Sequence, residues 1–236
     1  MYASVRSAGQ APEGTTELVF DVTDPAAIAD AASKIERLDA LVDNAGIAIA
    51  APLEFLPPDE LRRQLEVNVI GQLAVTQAFL PALRRGRGRI VNIGSIAGRS
   101  ALPFLGAYAA SKFALEAITD SLRVELAPFG IEVSVVEPGT IATPIWSKPQ
   151  RNAEAMPPEA RELYGARTEA FRAAAAKRSS GGVPADEVAK VVEHALTASR
   201  PRTRYLVGPD AKRRALLQKL PDRARDRILR RFLFGK

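Results

Sequence analysis

Short apolar segments rich in β-branched residues alternate along the chain with longer segments whose apolar residues recur at helical spacing. The short segments predict strands at 2–6, 17–22, 40–46, 89–95, 132–139 and 204–208. The longer segments predict helices at 25–38, 58–85, 107–129 and 184–199. Alternation of this kind builds a parallel sheet that is covered by helices on both faces. We therefore expect an α/β fold with a doubly wound parallel sheet.

The length of 236 residues and the hydrophobic content of 47% fit one domain that spans 1–236. Residues 144–183 interrupt the alternation and are rich in Pro, Ala, Glu and Arg. We interpret them as a helical insertion over the carboxyl ends of the strands, where doubly wound folds bind ligands. Residues 210–236 combine basic side chains with apolar ones at helical spacing, which predicts one or two amphipathic helices.

The composition narrows the chemistry that this chain can perform. It contains no cysteine, which excludes disulfides, a thiolate nucleophile and Cys-ligated zinc, and fits a reducing compartment. The single histidine, His194, is predicted to lie on a helix surface in a structural role. With these residue types we predict no metal site. We also predict a cytoplasmic protein, because no apolar run has the length of a membrane span and the N-terminus lacks a signal-peptide pattern.

The formal net charge of +6 has its positive excess in residues 210–236. We interpret this stretch as the solvated face of helices that pack on the domain, and we predict no nucleic-acid partner. The alternative is a peripheral contact with a membrane surface or another partner, which basic amphipathic helices can make.

Tyr108 and Lys112 stand four residues apart in the predicted helix 107–129, and Ser95 ends the predicted strand 89–95. Positions i and i+4 share one face of a helix, so the phenol and the ammonium can approach the same site. A nearby ammonium lowers the pKa of a phenol, which would let Tyr108 exchange a proton with an alcohol or carbonyl oxygen. The Ser95 hydroxyl would hydrogen-bond that oxygen as charge develops on it.

Further motifs accompany these residues: Asp43-Asn44-Ala45-Gly46, Asn68, Gly94-Ser95 and Pro138-Gly139-Thr140-Ile141-Ala142-Thr143. In order and spacing the set resembles the classical short-chain dehydrogenase/reductase family over nearly the whole chain. The resemblance implies a Rossmann-like fold and a catalytic tetrad of Asn68, Ser95, Tyr108 and Lys112. Tyr108 would be the acid–base, Lys112 would also hold the nicotinamide ribose, and Asn68 would position a water. The alternative is structural: Asn68 bonding backbone, Ser95 capping a turn and Tyr108 packing in the core.

The resemblance also implies a cofactor site for NADP, with NAD as the alternative. The residues that it assigns to the adenosine half are Asp21, Val22, Asn44, Ala45 and Gly46, and those that it assigns to the nicotinamide half, besides Tyr108 and Lys112, are Pro138, Gly139, Thr140, Ile141 and Thr143.

Arg6 bears on the choice between the two cofactors. It follows the first predicted strand, and Val5 stands where NAD-preferring relatives often carry an acidic residue. Because an arginine can pair with a 2′-phosphate, NADP is favoured.

One departure from the family pattern concerns the N-terminal part of the fold. Family members begin with a strand and a Thr-Gly-x-x-x-Gly-x-Gly turn, whose following helix binds pyrophosphate through free N–H groups. Here residues 2–6 resemble the family's second strand, and the missing strand belongs between it and the strand near 40–42. Its absence would leave two inner sheet edges unpaired. We expect a misassigned start or a fragment rather than a genuinely truncated protein.

The stretch from Tyr108 to Leu126 resembles the subgroup of retinol and hydroxysteroid dehydrogenases. We therefore predict interconversion of a secondary alcohol and a ketone, or an aldehyde, on an apolar substrate. The apolar residues that flank the site, and that line either its pocket or the core, are Leu102, Phe104, Leu105, Ile145, Trp146, Met156 and Tyr164.

A second hypothesis is a non-catalytic scaffold that cannot hold cofactor. Helices 59–85 and 107–127 carry small and branched residues suited to packing between subunits, and this would hold with or without catalysis. In either case we expect a homodimer or homotetramer.

Overall fold

The strands form two parallel sheets. The structure is a computed structural model that describes residues 1–143 and 156–234. In the first sheet β1 (Tyr2–Val5) pairs with β2 (Thr16–Val19), and the second has the order β3 (Ala40–Asp43), β4 (Arg89–Ile93), β5 (Glu132–Pro138) and β6 (Arg204–Val207). Every pairing is parallel, which confirms the predicted α/β class.

Helices connect the strands and cover both faces of the larger sheet. Their bounds are α1 Pro25–Ser33, α2 Pro58–Leu65, α3 Gln72–Gly86, α4 Gly106–Leu126, α5 Pro158–Ser180, α6 Ala185–Thr197, α7 Pro209–Leu217 and α8 Asp222–Phe234. The start of α1 follows from local chemistry: Asp24 Oδ1 accepts hydrogen bonds from the N–H groups of Ala26 and Ala27, with Pro25 in the first turn. The helices α7 and α8 lie in the C-terminal stretch for which amphipathic helices were predicted.

The helix predicted at 58–85 is broken into two by a π-helical segment, Glu66–Gly71, between α2 and α3. Gly71 ends this segment where it crosses the chain after β2, and a Cβ there would lie 2.6 Å from the carbonyl oxygen of Val22. The close crossing requires glycine. Asn68 lies inside the π-helical segment, and such bulges often mark functional sites.

The core lies on both sides of β4 and β5. Ile90, Val91, Val135 and Val136 are completely buried, as expected for strands with helices on both faces. On one side α1, α3 and α4 pack over the sheet, with Leu83 at the centre of the cluster. On the other side the cover comes from α6.

Between β1 and β3, the structure places no strand from the part of the chain that it describes. Three apolar side chains on the nearby strands are exposed to an extent unusual for a covered parallel sheet: Tyr2 (46%), Val19 (49%) and Val42 (38%). The separation of the two sheets agrees with the strand order that the family resemblance implied for these residues.

Candidate active site

The four residues predicted as a catalytic tetrad lie on neighbouring elements and are all buried. Ser95 follows β4, Tyr108 and Lys112 lie in the first turns of α4, and Asn68 lies in the π-helical segment. α4 packs against that segment and against the 3₁₀ turn Ile96–Gly98 that follows Ser95. The fold therefore brings together residues as far apart in the sequence as Asn68 and Lys112.

Burial and two neighbours set the pKa of the Tyr108 phenol. Its removal from solvent raises the pKa above the ordinary value, while a hydrogen bond with Ser95 and the positive charge of Arg214 lower it. Burial is the largest of these effects, so the phenol holds its proton at neutral pH. The sequence-based expectation that Lys112 would lower this pKa is not what the structure gives, since the positive charge comes from Arg214.

Lys112 is directed toward the backbone at the end of β4. Its Nζ atom donates a hydrogen bond to the carbonyl oxygen of Ile93 at 2.7 Å and lies 6.0 Å from the centre of the Tyr108 ring. Burial lowers the pKa of Lys112 to about 8, and the negative charge of Glu116 opposes that shift. An ammonium with this pKa can both hold and release a proton near neutral pH.

Asn68 holds the loop that follows β3. Its Oδ1 accepts from the N–H of Ile47 at 2.8 Å, and its Nδ2 donates to the Ile47 carbonyl and to the Ser111 hydroxyl at 2.9 and 3.1 Å. Gln64, one turn earlier, likewise bonds Ile47 and Ile49. Asn68 thus bonds backbone, as the structural alternative proposed, but on the loop after β3 rather than in its own helix.

The residues predicted to hold adenosine lie where β1, β2 and β3 end. Asp21 forms a local turn in which Oδ1 accepts from the N–H and hydroxyl of Thr23 at 2.9 and 2.8 Å, and these bonds lower the pKa of its carboxyl. Asn44 and Gly46 are exposed after the strand, and the carbonyl oxygen of Ala45 accepts a hydrogen bond from Gln72. Arg6 is exposed beyond β1, and Val22 is half-buried.

The turn from Pro138 to Thr143, predicted to meet the nicotinamide, is held by groups distant in sequence. Gly139 N–H donates to the Val207 carbonyl at 2.9 Å, and Thr140 donates twice to the carboxylate of Asp210. A Cβ on Gly139 would overlap that carboxylate, so the turn requires glycine. Ile141 bridges to Val183, which ties the turn to the segment after α5.

α7 supplies a second side chain to the site, and no sequence motif predicted it. Arg214 donates hydrogen bonds to the carbonyl and the hydroxyl of Ser100, in the loop that follows Ser95. Burial lowers the pKa of this guanidinium to about 10. Arg214 ends a run of three basic residues, Lys212–Arg214, and nothing local in that run distinguishes it from its two exposed neighbours.

Aromatic side chains form a wall beside the site. Phe104 packs edge-on against Tyr164 and Phe171, with ring centres 6.4 and 5.6 Å apart, and Leu102 and Leu105 join the same cluster. Met156 is half-buried, whereas Ile145 and Trp146, also predicted to flank the site, lie outside the described residues.

The backbone at the centre of this wall is strained. Phe104 has φ +67°, in the left-handed region that bulky residues rarely adopt, and its carbonyl accepts from Ala51 N–H at 2.9 Å. Strain held in this way clusters at functional sites.

A partly buried charge network links α4 to β5 and β6. Arg204 on β6 pairs with Glu116 and Asp120 on α4 at 3.1 and 2.7 Å, and with Glu137 on β5 at 3.3 Å. Burial and mutual repulsion raise the pKa of Glu116 to about 7. Gly94 and Gly98 leave the space for this carboxylate, because a Cβ at either would lie 3.1 Å from a Glu116 side-chain atom.

Comparison with known proteins identifies relatives of this arrangement. The sequence model described as short chain dehydrogenase matches residues 3–154. The 3-amino-tetrahydro-pyrrolizinone reductase of Xenorhabdus hominickii is 44% identical over 188 residues, which cover 78% of this chain and 66% of that protein. Retinol dehydrogenase 5 of Mus musculus is 41% identical, over 82% of this chain and 66% of the relative. This chain thus spans slightly less than two thirds of these two relatives.

Two further comparisons concern NADP-linked proteins. The NADPH-dependent 3-dehydrocapnine reductase of Ornithobacterium rhinotracheale is 37% identical, over 89% of this chain and 78% of that protein. A solved short chain dehydrogenase from Burkholderia cenocepacia in complex with NADP superposes with a TM-score of 0.76 at 28% identity, over 97% of this chain and 85% of the other. Across the described residues, no helix is long and apolar enough to cross a membrane.

Proposed function

This chain belongs to the short chain dehydrogenase family, and from that premise we propose that it is an NADP(H)-dependent oxidoreductase. Its reaction interconverts a secondary alcohol and a ketone, or a primary alcohol and an aldehyde, on a substrate with an apolar body. The observation that carries the proposal is the buried, protonated Tyr108 hydrogen-bonded to Ser95 with Lys112 one helical turn away.

Tyr108 acts as the general acid in the reducing direction. Because burial keeps its pKa above the ordinary value, the phenol carries a proton that it can donate to a carbonyl oxygen. The Ser95 hydroxyl, bonded to the same phenol, donates to that oxygen as negative charge develops. The phenolate that remains is stabilised by Ser95 and by the charge of Arg214.

Lys112 returns the proton to Tyr108 and positions the cofactor ribose. Its pKa of about 8 places proton release within reach of neutral pH. Asn68 holds the loop after β3 in place through two hydrogen bonds with Ile47. It also donates to Ser111, and so connects that loop to α4. When bound, NADPH supplies the hydride that reduces the carbonyl carbon.

The residues present fit the two ends of NADP. Gly139, beside the Asp210 carboxylate, keeps the Thr140 turn next to the catalytic groups, where Ile141 and Thr143 would meet the nicotinamide carboxamide. At the other end Asp21, Val22 and the exposed stretch Asn44–Gly46 would surround adenosine. The exposed Arg6 offers a guanidinium for a 2′-phosphate. The NADP-bound neighbour and the NADPH-dependent relative support this choice.

The test is to titrate the protein with NADPH and NADH by fluorescence, and then to follow consumption of NADPH with aliphatic ketones. We expect tighter binding of NADPH and consumption that depends on ketone. Arg6→Asp should weaken or reverse the preference for NADPH, whereas Arg37→Asp, at an exposed site paired with Asp39, should not. Absence of saturable binding of either nucleotide would favour the non-catalytic scaffold.

We also propose that a second copy packs against the helices around the site. Ile70, Phe113 and Val124 lie on the π-helical segment and α4 and are 54%, 46% and 71% exposed. Large apolar side chains that remain exposed on helices are typical of subunit interfaces. Light scattering after gel filtration should show a dimer or tetramer, and Val124→Glu should dissociate it.

A peripheral membrane contact is proposed for the C-terminal helices. Leu216, Leu220 and Ile228 are exposed among arginines on α7, α8 and the turn between them. Such a surface can bind anionic lipid. Sedimentation with vesicles that contain phosphatidylserine should retain the protein, and neutral phosphatidylcholine vesicles should not.

A further inference from the structure

Arg214 places a positive charge inside the site, beside groups that the proposed reaction uses. Its Nε donates to the Ser100 hydroxyl at 3.4 Å, and an Nη2 donor bonds the Ser100 carbonyl. Ser100 is only 3% exposed, so the guanidinium enters a buried region. Its charge also lowers the pKa of the Tyr108 phenol.

Among the described residues, Asp210 is the carboxylate whose charge acts on this guanidinium, and it does so without forming an ion pair. No carboxylate in residues 1–143 or 156–234 forms an ion pair with it; the nearest acidic residue on its helix, Asp210, is one turn away and uses Oδ2 to bind Thr140. Two neutral oxygens of Ser100 are its hydrogen-bond acceptors. A largely desolvated cation that forms no ion pair is costly, and an anionic ligand would offset that cost.

A second arginine adds to the positive potential. The charge of Arg178, on α5, lowers the pKa of Arg214 by repulsion, so both guanidinium groups act on the same region. Arg178 and Phe171 lie seven residues apart and therefore share one face of α5. Phe171 in turn packs on Phe104. One face of α5 thus carries the ring of Phe171 and, two turns later, the guanidinium of Arg178.

We propose that Arg214 and Arg178 bind an acidic group of the substrate, a carboxylate, sulfonate or phosphate, while Phe104 and Phe171 contact its apolar body. The substrate class is an apolar ketone with an anionic group close to its carbonyl. The inference rests on the proposed function for the position of the carbonyl at Tyr108. Guanidinium groups bind such anions through charge-assisted hydrogen bonds, which are stronger in a buried site than in water.

The test uses calorimetry with γ-oxodecanoate and its methyl ester, which share a chain and differ in charge. We expect the acid to bind at least about tenfold more tightly than the ester. Arg214→Gln should abolish this advantage, and Arg178→Gln should reduce it. The matched control is Arg213→Gln, an exposed neighbour on α7, which should leave the advantage intact. If Arg214→Gln fails to fold, Arg214→Met, which keeps the apolar stem, takes its place.

Each other outcome overturns the proposal or separates it from the proposed function. Equal binding of acid and ester, binding of neither, or an advantage that survives Arg214→Gln overturns it. A loss of NADPH affinity in Arg214→Gln, without loss of acid binding, assigns the cations to a cofactor phosphate and also overturns it. Tight binding of the acid without consumption of NADPH contradicts the proposed reaction but leaves the anion site standing. Consumption of NADPH with the ester, without tighter binding of the acid, supports the proposed reaction and overturns the anion site.

Discussion

Asp210 and Thr140 are joined by two hydrogen bonds to one oxygen: Asp210 Oδ2 accepts from the backbone N–H of Thr140 at 2.7 Å and from its hydroxyl at 2.8 Å. The two residues are 70 positions apart, so this carboxylate ties α7 to the turn after β5. The same helix carries Arg214 one turn later. α7 therefore fixes the turn proposed to meet the nicotinamide and also places the guanidinium near Tyr108.

Asp210→Ala should loosen this turn. Hydrogen bonds to a charged acceptor contribute about 1.5–3 kcal/mol each, and we expect the free energy of unfolding in urea to fall by about that amount or more. Affinity for NADPH should fall as well, because the turn is no longer held against α7. Asp222→Ala, at an exposed carboxylate on α8, is the control. Equal losses of stability and of NADPH affinity in the two variants would contradict the positioning role of Asp210.

Tyr108→Phe should remove turnover and preserve the fold. The substitution keeps the ring and deletes the hydroxyl that donates the proton, so kcat should fall about a hundredfold to ten-thousandfold. The melting temperature should change little. Tyr205→Phe is a matched control, because Tyr205 has the same 8% exposure and its hydroxyl accepts from the Arg202 N–H away from the site. Unfolding of the Tyr108 variant would show that the residue serves packing instead.

Asp43 makes the stability depend on pH. Burial raises the pKa of its carboxyl to about 7, against about 3.9 in the unfolded chain, although Thr76 donates a hydrogen bond to it at 2.7 Å. The native state therefore binds a proton more tightly, and the resulting stabilisation is complete below about pH 4 and is lost as pH rises through 7.

Asp43→Asn should remove this dependence, because the amide stays neutral and can still accept from Thr76. We expect the variant and the parent to melt at similar temperatures near pH 4, and the variant to melt several degrees higher near pH 8. Asp39→Asn, on the exposed side of the same segment, serves for comparison. A constant difference between Asp43→Asn and the parent across this range would refute the assignment.

Arg204→Met should strongly destabilise the protein. It removes the guanidinium that Glu116 and Glu137 share and leaves Glu137 with Arg99 as its ion-pair partner, and loss of one partner from such a network costs about 3–5 kcal/mol. The loss should be smaller near pH 5 than near pH 8, because carboxyls with raised pKa values become protonated at acid pH. Adding Glu137→Gln should recover part of it. Arg202→Met, at an exposed neighbouring position, should have little effect.

Local patterns were enough to predict most of the architecture. Nearly continuous apolar runs, such as Val133, Val135 and Val136, predicted the strands, and helical spacing from residue 25 predicted α1, because burial periodicity depends on residues close in sequence. The four-residue spacing of Tyr108 and Lys112 likewise predicted that the two side chains share one face of α4. The placement of Ser95 beside Tyr108 required the family resemblance as well.

Other features depend on contacts between distant residues. Nothing in the composition around Asn68 signals a π-helical segment, which arises where Gly71 must pass close to Val22. The tie between Arg214 and Ser100 spans 114 positions. The pKa of Tyr108 was predicted in the wrong direction because burial, which is a property of the tertiary structure, outweighs the hydrogen bond with Ser95 and the charge of Arg214.

The separation of the two sheets has a consequence for hydrogen exchange. β1 hydrogen-bonds to β2, while Phe20, just after β2, is packed in the core with Ile28 and Ala31 of α1. β2 is thus anchored by α1, whereas β1 depends on its ladder to β2. Segments with few buried apolar contacts open without global unfolding. Amide protons of β1 should therefore exchange with solvent far faster than those of β4 and β5, which can exchange only when the central core opens.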